Sequence, residues 1–336
     1  DEKEGIYKAS QNPVIIFDDF TTANKWVDFD FKAKSSAMKM ITSKDESKAL
    51  LKYIYYWLNT LPSGLVNGDH KRQWISNYSN KQIPIPPIKI QKEIVRILDK
   101  FTELTAELTA ELTARKKQYI YYREQFFEFA DEEIQREPLG VIGEFQRGKR
   151  FVKDDMLSEG VPCIHYGEMY TYYGTWANKS KSFLSEELVE RKNLRVAENG
   201  DVVIVAAGET IEDIGLGTAW LGDEGVVIHD ACFSFRSPLN PKYVAYFTRT
   251  KQFHDQIKKH ISSGKISAIN AKGLEKVLIP VPSPEEQERI VTILDKFDIL
   301  TTSISEGLPK EIELRKKQYE YYRDLLLTFP KNNIES

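Results

Sequence analysis

The sequence predicts an α+β protein: two globular α+β modules separated by long helices that pair as an antiparallel coiled coil, the whole pseudo-two-fold. Three observations predict it. Residues 83–101, IPIPPIKIQKEIVRILDKF, return as residues 279–297, IPVPSPEEQERIVTILDKF, 196 positions later. A second segment, RKKQYIYYREQFFEF from Arg115, returns as RKKQYEYYRDLLLTF from Arg315, 200 positions later. Between and before the copies the texture changes to short apolar runs bounded by Gly, Asn, Asp and Pro, which reads as strands. The spacing is far beyond the ~20–50 residues of a solenoid period, so the repeat marks a duplicated module.

The boundaries follow in chain order. Residues 1–82 are read as the C-terminal part of a first globular module, 83–137 as a first helical spacer, 138–278 as a second module and 279–336 as a second spacer. Val14–Asp18 is strand-like and resembles Val226–Asp230; Leu51–Thr60 is helical. Because 13 residues precede Val14 and 88 separate residue 138 from Val226, about 75 residues are expected to be missing from the first module. Each spacer opens on Ile-Pro-x-Pro, where proline removes a donor and turns the preceding residue away from helix, giving an extended entry. Apolar residues then recur at three-four spacing: Ile94, Ile97, Phe101, Leu104, Leu108, Tyr119, Tyr122 and Phe126 in one copy, and Ile290, Ile293, Phe297, Leu300, Ile304, Tyr319, Tyr322 and Leu325 in the other. Such narrow, long stripes suit a coiled-coil seam, and the alternative is a helix lying on its own domain core. The doubled Thr-Ala-Glu-Leu of residues 105–112 is a four-residue stutter, tolerated without a break. Gly307 and Pro309 predict a break, with Pro309 starting the next helix. In the second module, strands are expected over Asp201–Ala207, Gly225–His229 and Cys232–Arg236, followed by a helix over Pro241–His260.

Composition excludes several classes. With 336 residues, 41% apolar and 29% charged, the chain is long enough for about two domains and is not a disordered or low-complexity polymer. No apolar run reaches the ~20 residues of a membrane span. Two cysteines, Cys163 and Cys232, are too few for a disulfide framework or zinc site, which makes a cytoplasmic location the expectation. The net charge of -3 leaves any nucleic-acid site to a local basic surface. Gly143–Lys149 resembles a phosphate-binding loop, but Arg150 stands where Ser or Thr would hold magnesium. The basic run Arg147, Lys149, Arg150, Lys153 fits a DNA backbone better, against a merely solvated loop. His165, His229, His254 and His260 show no mutual pattern and read singly as structural. Catalytic and metal-binding residues are expected to be absent. The ring-rich segment His165–Trp176 suits either a loop over a core or a groove-reading surface, and the polar loops Ser262–Lys265 and Asp69–Gln73 occupy corresponding places in the two modules.

At this point the residues resemble a family. The repeated Ile-Pro-x-Pro…Gln-x-x-Ile-Val-x-Ile-Leu-Asp-Lys-Phe and Arg-Lys-Lys-Gln-Tyr-x-Tyr-Tyr-Arg segments and the Thr-Ala-Glu-Leu repeat are similar to the DNA specificity subunits of type I restriction–modification systems. Residues 16–38 and 71–77 look like a first target-recognition domain of the IC class, here N-terminally incomplete. The resemblance implies two target-recognition domains reading a bipartite double-stranded DNA site in the major groove, and paired helices that set the gap. It also implies two methyltransferase subunits carrying S-adenosylmethionine for adenine N6 methylation. A translocating restriction subunit using ATP and Mg2+ joins where the system includes one, and no cofactor sits on this chain. The residues expected at DNA are Lys149, Arg150, Tyr166, Tyr170, Ser263, Gly264 and Lys265 in the second domain, and His70, Lys71, Arg72 and Gln73 in the first. The competing expectation is a non-catalytic coiled-coil adaptor whose modules bind protein.

Overall fold

The computed structural model describes residues 5–33, 35, 37–62, 72–130, 134–208, 210–262, 264 and 266–329. The chain divides into two compact units, one made of residues 1–113 and 303–336, the other of 114–302.

In the first unit, Val14–Asp18 is the middle strand of a three-stranded antiparallel sheet, between Asn24–Val27 and Met38–Ile41. Its period-two pattern splits two apolar faces. Ile15 and Phe17 pack with Leu51, Leu58 and Tyr78, while Val14 packs with Ala9 and Val27. The helix Leu51–Leu58 is two-sided in the same way. Leu51 and Leu58 lie on the sheet; Tyr53 and Tyr56 turn to Ile94, Leu98 and Leu327 of the helical pair. The strand at the corresponding place in the second unit is Val202–Val205, also central and antiparallel to both neighbours, and not the expected Val226–Asp230. Strand partners, rather than the likeness of two apolar runs, decide the equivalence.

The long helix Ile88–Gln125 is unbroken over 38 residues, about 57 Å at 1.5 Å per residue. The threonines of the tetrapeptide segment, Thr105, Thr109 and Thr113, each donate to the carbonyl four residues back, so the stutter stays helical. In the first unit this helix runs antiparallel to Gly307–Leu327: Ile94 and Leu98 meet Leu327, and Phe101 stacks on Tyr322 at 5.4 Å. In the second unit its last turns run antiparallel to Pro284–Thr302, with Tyr122 stacked on Phe297 at 5.6 Å and Arg289 over Phe126. Each Lys-Gln-Tyr segment therefore packs against the Asp-Lys-Phe segment of the other copy. The expected break lies between Thr302 and Gly307, where Gly307 takes φ +80° and Pro309 sits in the first turn. Two seam expectations fail: Ile304 falls in that break at 83% exposure, and Leu325 is 56% exposed while Leu327 is buried.

In the second unit a five-stranded sheet has the order Glu144–Arg147, Cys232–Arg236, Val202–Val205, Gly217–Trp220, Trp176–Ala177. The segment with phosphate-loop spacing is thus an edge strand. A four-stranded sheet has the order Ser182–Leu184, Val161–Ile164, Val226–Ile228, Val196–Ala197. Val202 and Ile204 face one core, Val203 and Val205 another, which explains an all-apolar run covered on both sides. The helix expected over Pro241–His260 is two helices, Pro241–Phe247 and Lys251–Lys258. Thr250 separates them: its hydroxyl donates to the Phe247 carbonyl and accepts from the Phe253 amide, capping the second. Arg136–Pro138 pairs antiparallel with Leu278–Pro280, joining the two ends of the second globular region.

Candidate nucleic-acid interface

The site begins with strand register. Val161–Ile164 and Val226–Ile228 pair in parallel, with Ile228 opposite Ile164. The next residue of each strand is histidine, so His165 and His229 stand side by side, ring centroids 4.6 Å apart. Phe151 meets both rings edge-on, and Tyr166 lies 4.6 Å from His165. Gly148 brings the basic segment over this pair. Its amide donates to the Cys232 carbonyl, and a Cβ there would lie 2.3 Å from the His229 carbonyl oxygen. Only glycine allows so close an approach, and the following residues leave the sheet as a basic loop.

The result is a cleft of about 770 Å³ whose polar lining is Arg147, Arg150, Lys153, His165, Tyr166, His229 and a single carboxylate, Asp230. Its apolar lining includes Ala207, Gly208 and Ile266. Arg147 is braced by donating from Nε to the Asp230 carbonyl at 2.9 Å. Burial, then the neighbouring His229, pushes the His165 imidazole down to about 4. Burial lowers His229 too, and the Asp230 carboxylate only partly opposes it. Both rings are therefore neutral near pH 7, and the positive charge of the cleft belongs to Arg147, Arg150 and Lys153. Such a surface suits a polyanion, with cations for phosphate and neutral donors and a phenol for base edges.

Of the sequence-predicted residues, Arg150 and Tyr166 line this cleft. Lys149 is beside it, half-buried, its Nζ 3.4 Å from the Lys192 carbonyl. Tyr170 is a correction: it packs against the core cluster of Val203 and Trp220, with an enclosed hydroxyl that has no hydrogen-bond partner, so it does not present a phenol to the cleft. Gly264 is exposed, while Ser263 and Lys265 lie outside the described residues. In the first unit His70 and Lys71 also lie outside them. Arg72 is exposed. Gln73 is a second correction: it is buried, its amide N–H donates to the Asp19 carbonyl, and its side-chain oxygen accepts from Asn77. The buried Asp19 carboxylate accepts from the Trp74 amide at 2.6 Å and pairs with Lys39, which ties down the chain just after Arg72. Sequence reasoning missed the His165–His229 pair. Its signal was an apolar run ending in histidine, Val-Pro-Cys-Ile-His and Val-Val-Ile-His, in two strands.

Among the described residues no three His, Cys, Asp or Glu side chains gather as metal ligands. Cys163 and Cys232 are buried, and burial pushes both thiols up to about 12.

The comparisons decide the family. The model of the type I restriction modification DNA specificity domain matches residues 10–115 and 132–314. The chain belongs to this family. Among the relatives of this specificity-family chain is the type I restriction enzyme EcoR124I/EcoR124II specificity subunit of Escherichia coli, 50% identical over 98% of this chain and 83% of that protein. The fold is also found in a chain solved in work on complex assembly and conformational transition of the type I R-M system, with TM-score 0.64, 17% identity and coverage of 96% of this chain and 82% of that one. The HsdS subunit from Thermoanaerobacter tengcongensis gives a TM-score of 0.52 at 17% identity, covering 96% and 81%. Among the described residues no helix is long and apolar enough to cross a membrane.

Proposed function

We propose that this chain is the DNA-recognition component of a type I restriction–modification assembly and performs no chemistry itself. Each globular region reads one half of a bipartite double-stranded site in the major groove. The observation that carries this reading is the cleft of the second region, where Arg147, Arg150 and Lys153 surround neutral imidazoles and Tyr166. Two methyltransferase subunits, holding S-adenosylmethionine, dock on the helical pairs and methylate adenine N6; a restriction subunit supplies ATP- and Mg2+-dependent translocation and cleavage. The acidic total of -3 is compatible with this because partners share the phosphate contacts. The location is the cytoplasm, with the chromosome it marks.

The long helix acts as spacer. A tetrapeptide adds roughly 6 Å of helix, against 3.4 Å per base-pair step. The test is to express the chain with its methyltransferase subunit in a methylation-free host and map N6-methyladenine across the genome. A bipartite motif with a fixed gap supports the reading; a palindromic motif means that one region acts twice; absence of both methylation and complex overturns it in favour of a protein-binding adaptor.

A further inference from the structure

We propose that His165 is a specificity-determining residue, supplying the neutral Nε2–H donor with which the cleft reads a hydrogen-bond acceptor on the major-groove edge of a purine, N7 or guanine O6. This rests on the DNA-recognition reading above and names one reader within it.

The tautomer is set by the backbone. His165 Nδ1 accepts from the Gly167 amide at 3.2 Å, so that nitrogen carries no proton and the ring hydrogen sits on Nε2. The ring is also fixed in place, because His165 caps the short helix Tyr166–Thr171 and its own amide donates to Glu168 at 3.0 Å. Glu168 is in turn held by Ser182 at 2.5 Å. His229 differs. Its Nδ1 accepts from the Ala231 amide at 3.1 Å and lies 3.0 Å from the Asp230 carboxylate. His165 Nε2 makes no hydrogen bond within the described chain and is not among its enclosed unpartnered atoms, while the residue lines the cleft.

The geometry of the wall fits a purine edge. Arg150 and Lys153, both exposed, line the same cleft as cations for phosphate, which position the groove without reading it. Tyr166 lies against the His165 ring, and the small residues Ala207 and Gly208 also line the cleft. Burial pushes the His165 imidazole down to about 4, so the ring is neutral near pH 7.

The experiment is methylome mapping of the complete complex with wild-type chain, H165F and H165Q. H165F keeps a ring of similar size and removes the donor; H165Q returns an N–H near the Nε2 position. In H165F one base pair of the second half-site is expected to relax, with about a tenfold loss of preference, while the first half-site and gap stay as in wild type. H165Q is expected to restore that preference in large part. Unchanged stringency at every position in H165F overturns the proposal. So does equal loss of all methylation in both variants, which assigns His165 to packing alone. Failure of the wild-type complex to yield a bipartite motif instead overturns the recognition reading itself, and so is distinguishable.

Discussion

The Tyr246 hydroxyl donates to the Asp295 carboxylate at 2.7 Å, and Tyr56 donates to Asp99 in the same way in the other unit. Around each pair the contacts repeat. Tyr243 and Tyr53 donate to the Pro280 and Pro84 carbonyls, at 3.1 and 2.8 Å. Gln287 and Gln91 donate to the Pro282 and Pro86 carbonyls, at 2.9 and 2.8 Å, and accept from the Asn240 and Leu50 amides. Lys242 and Lys52 complete the sets at Asp295 and Asp99. This explains the doubled Ile-Pro-x-Pro. Proline supplies no amide donor, but the carbonyls of the segment remain acceptors. Tyrosine and glutamine of the neighbouring helices use them. The clasp thus ties the globular part of each unit to its helix.

Tyr246→Phe removes one donor from the Asp295 carboxylate and leaves Lys242. We expect destabilisation of about 1–3 kcal/mol, the usual cost of an unsatisfied buried partner. Urea unfolding of the full chain in its complex checks this, and Tyr56→Phe should act similarly. No change in either variant would show the clasp to be incidental.

Arg150→Ala and Lys153→Ala should weaken binding of the assembled complex to all sequences alike. Each should reduce the slope of log affinity against log salt by about one, leaving the methylated motif unchanged. Titration of labelled DNA at several salt concentrations measures it. A changed motif with unchanged affinity would reverse the assignment of these side chains to phosphate.

Gly148→Ala places a methyl 2.3 Å from the His229 carbonyl oxygen and 2.4 Å from that of Ile228. Both obstacles are backbone, Ile228 at the end of a strand and His229 just after it, so the chain must shift. The cost is expected to exceed about 3 kcal/mol, with loss of second half-site reading. Melting of the purified complex, together with its methylome, reports both effects.

The histidines predict an acid-sensitive second unit. His165 sits at about 4 when folded, against 6.5 when free, and His229 and His254 are lowered by burial as well. Between those values the unfolded chain binds more protons than the folded one, so stability rises with pH through that window and falls as pH drops from about 6.5 toward 4. In H165F the acid limb of a stability–pH curve should flatten. An unaltered curve would place the sensitivity on the other two rings.

One further Thr-Ala-Glu-Leu inserted after Leu112 should lengthen the unread gap and leave both half-sites intact. Methylome mapping of the insertion variant reads this directly, and a lost or altered half-site would argue against a spacer.

Much of the helical architecture was legible in the sequence. The three-four stripes, the proline entries and the break at Gly307 and Pro309 are set within a few residues, where helix geometry and the missing proline amide act directly. The repeat itself revealed the duplicated design and the family. The basic segment around Arg150 was legible as well, because its charges are adjacent in the chain. The depth at which each ring lies was not. Tyr170 and Gln73 occupy polar, loop-like stretches, yet one packs on a core and the other is held beneath Asp19.

Tertiary structure alone decided which distant residues meet. His165 and His229 are 64 positions apart and became neighbours through the parallel register of two strands. Tyr246 and Asp295 are 49 apart and meet only when a helix of the globular region docks on the spacer. The sequence by itself determined the elements whose signals are local: amphipathic period, proline chemistry, glycine at a turn. Contacts between elements depend on strand register and on the order in which faces are buried. Those are collective properties of the packed chain, so no short stretch of residues encodes them.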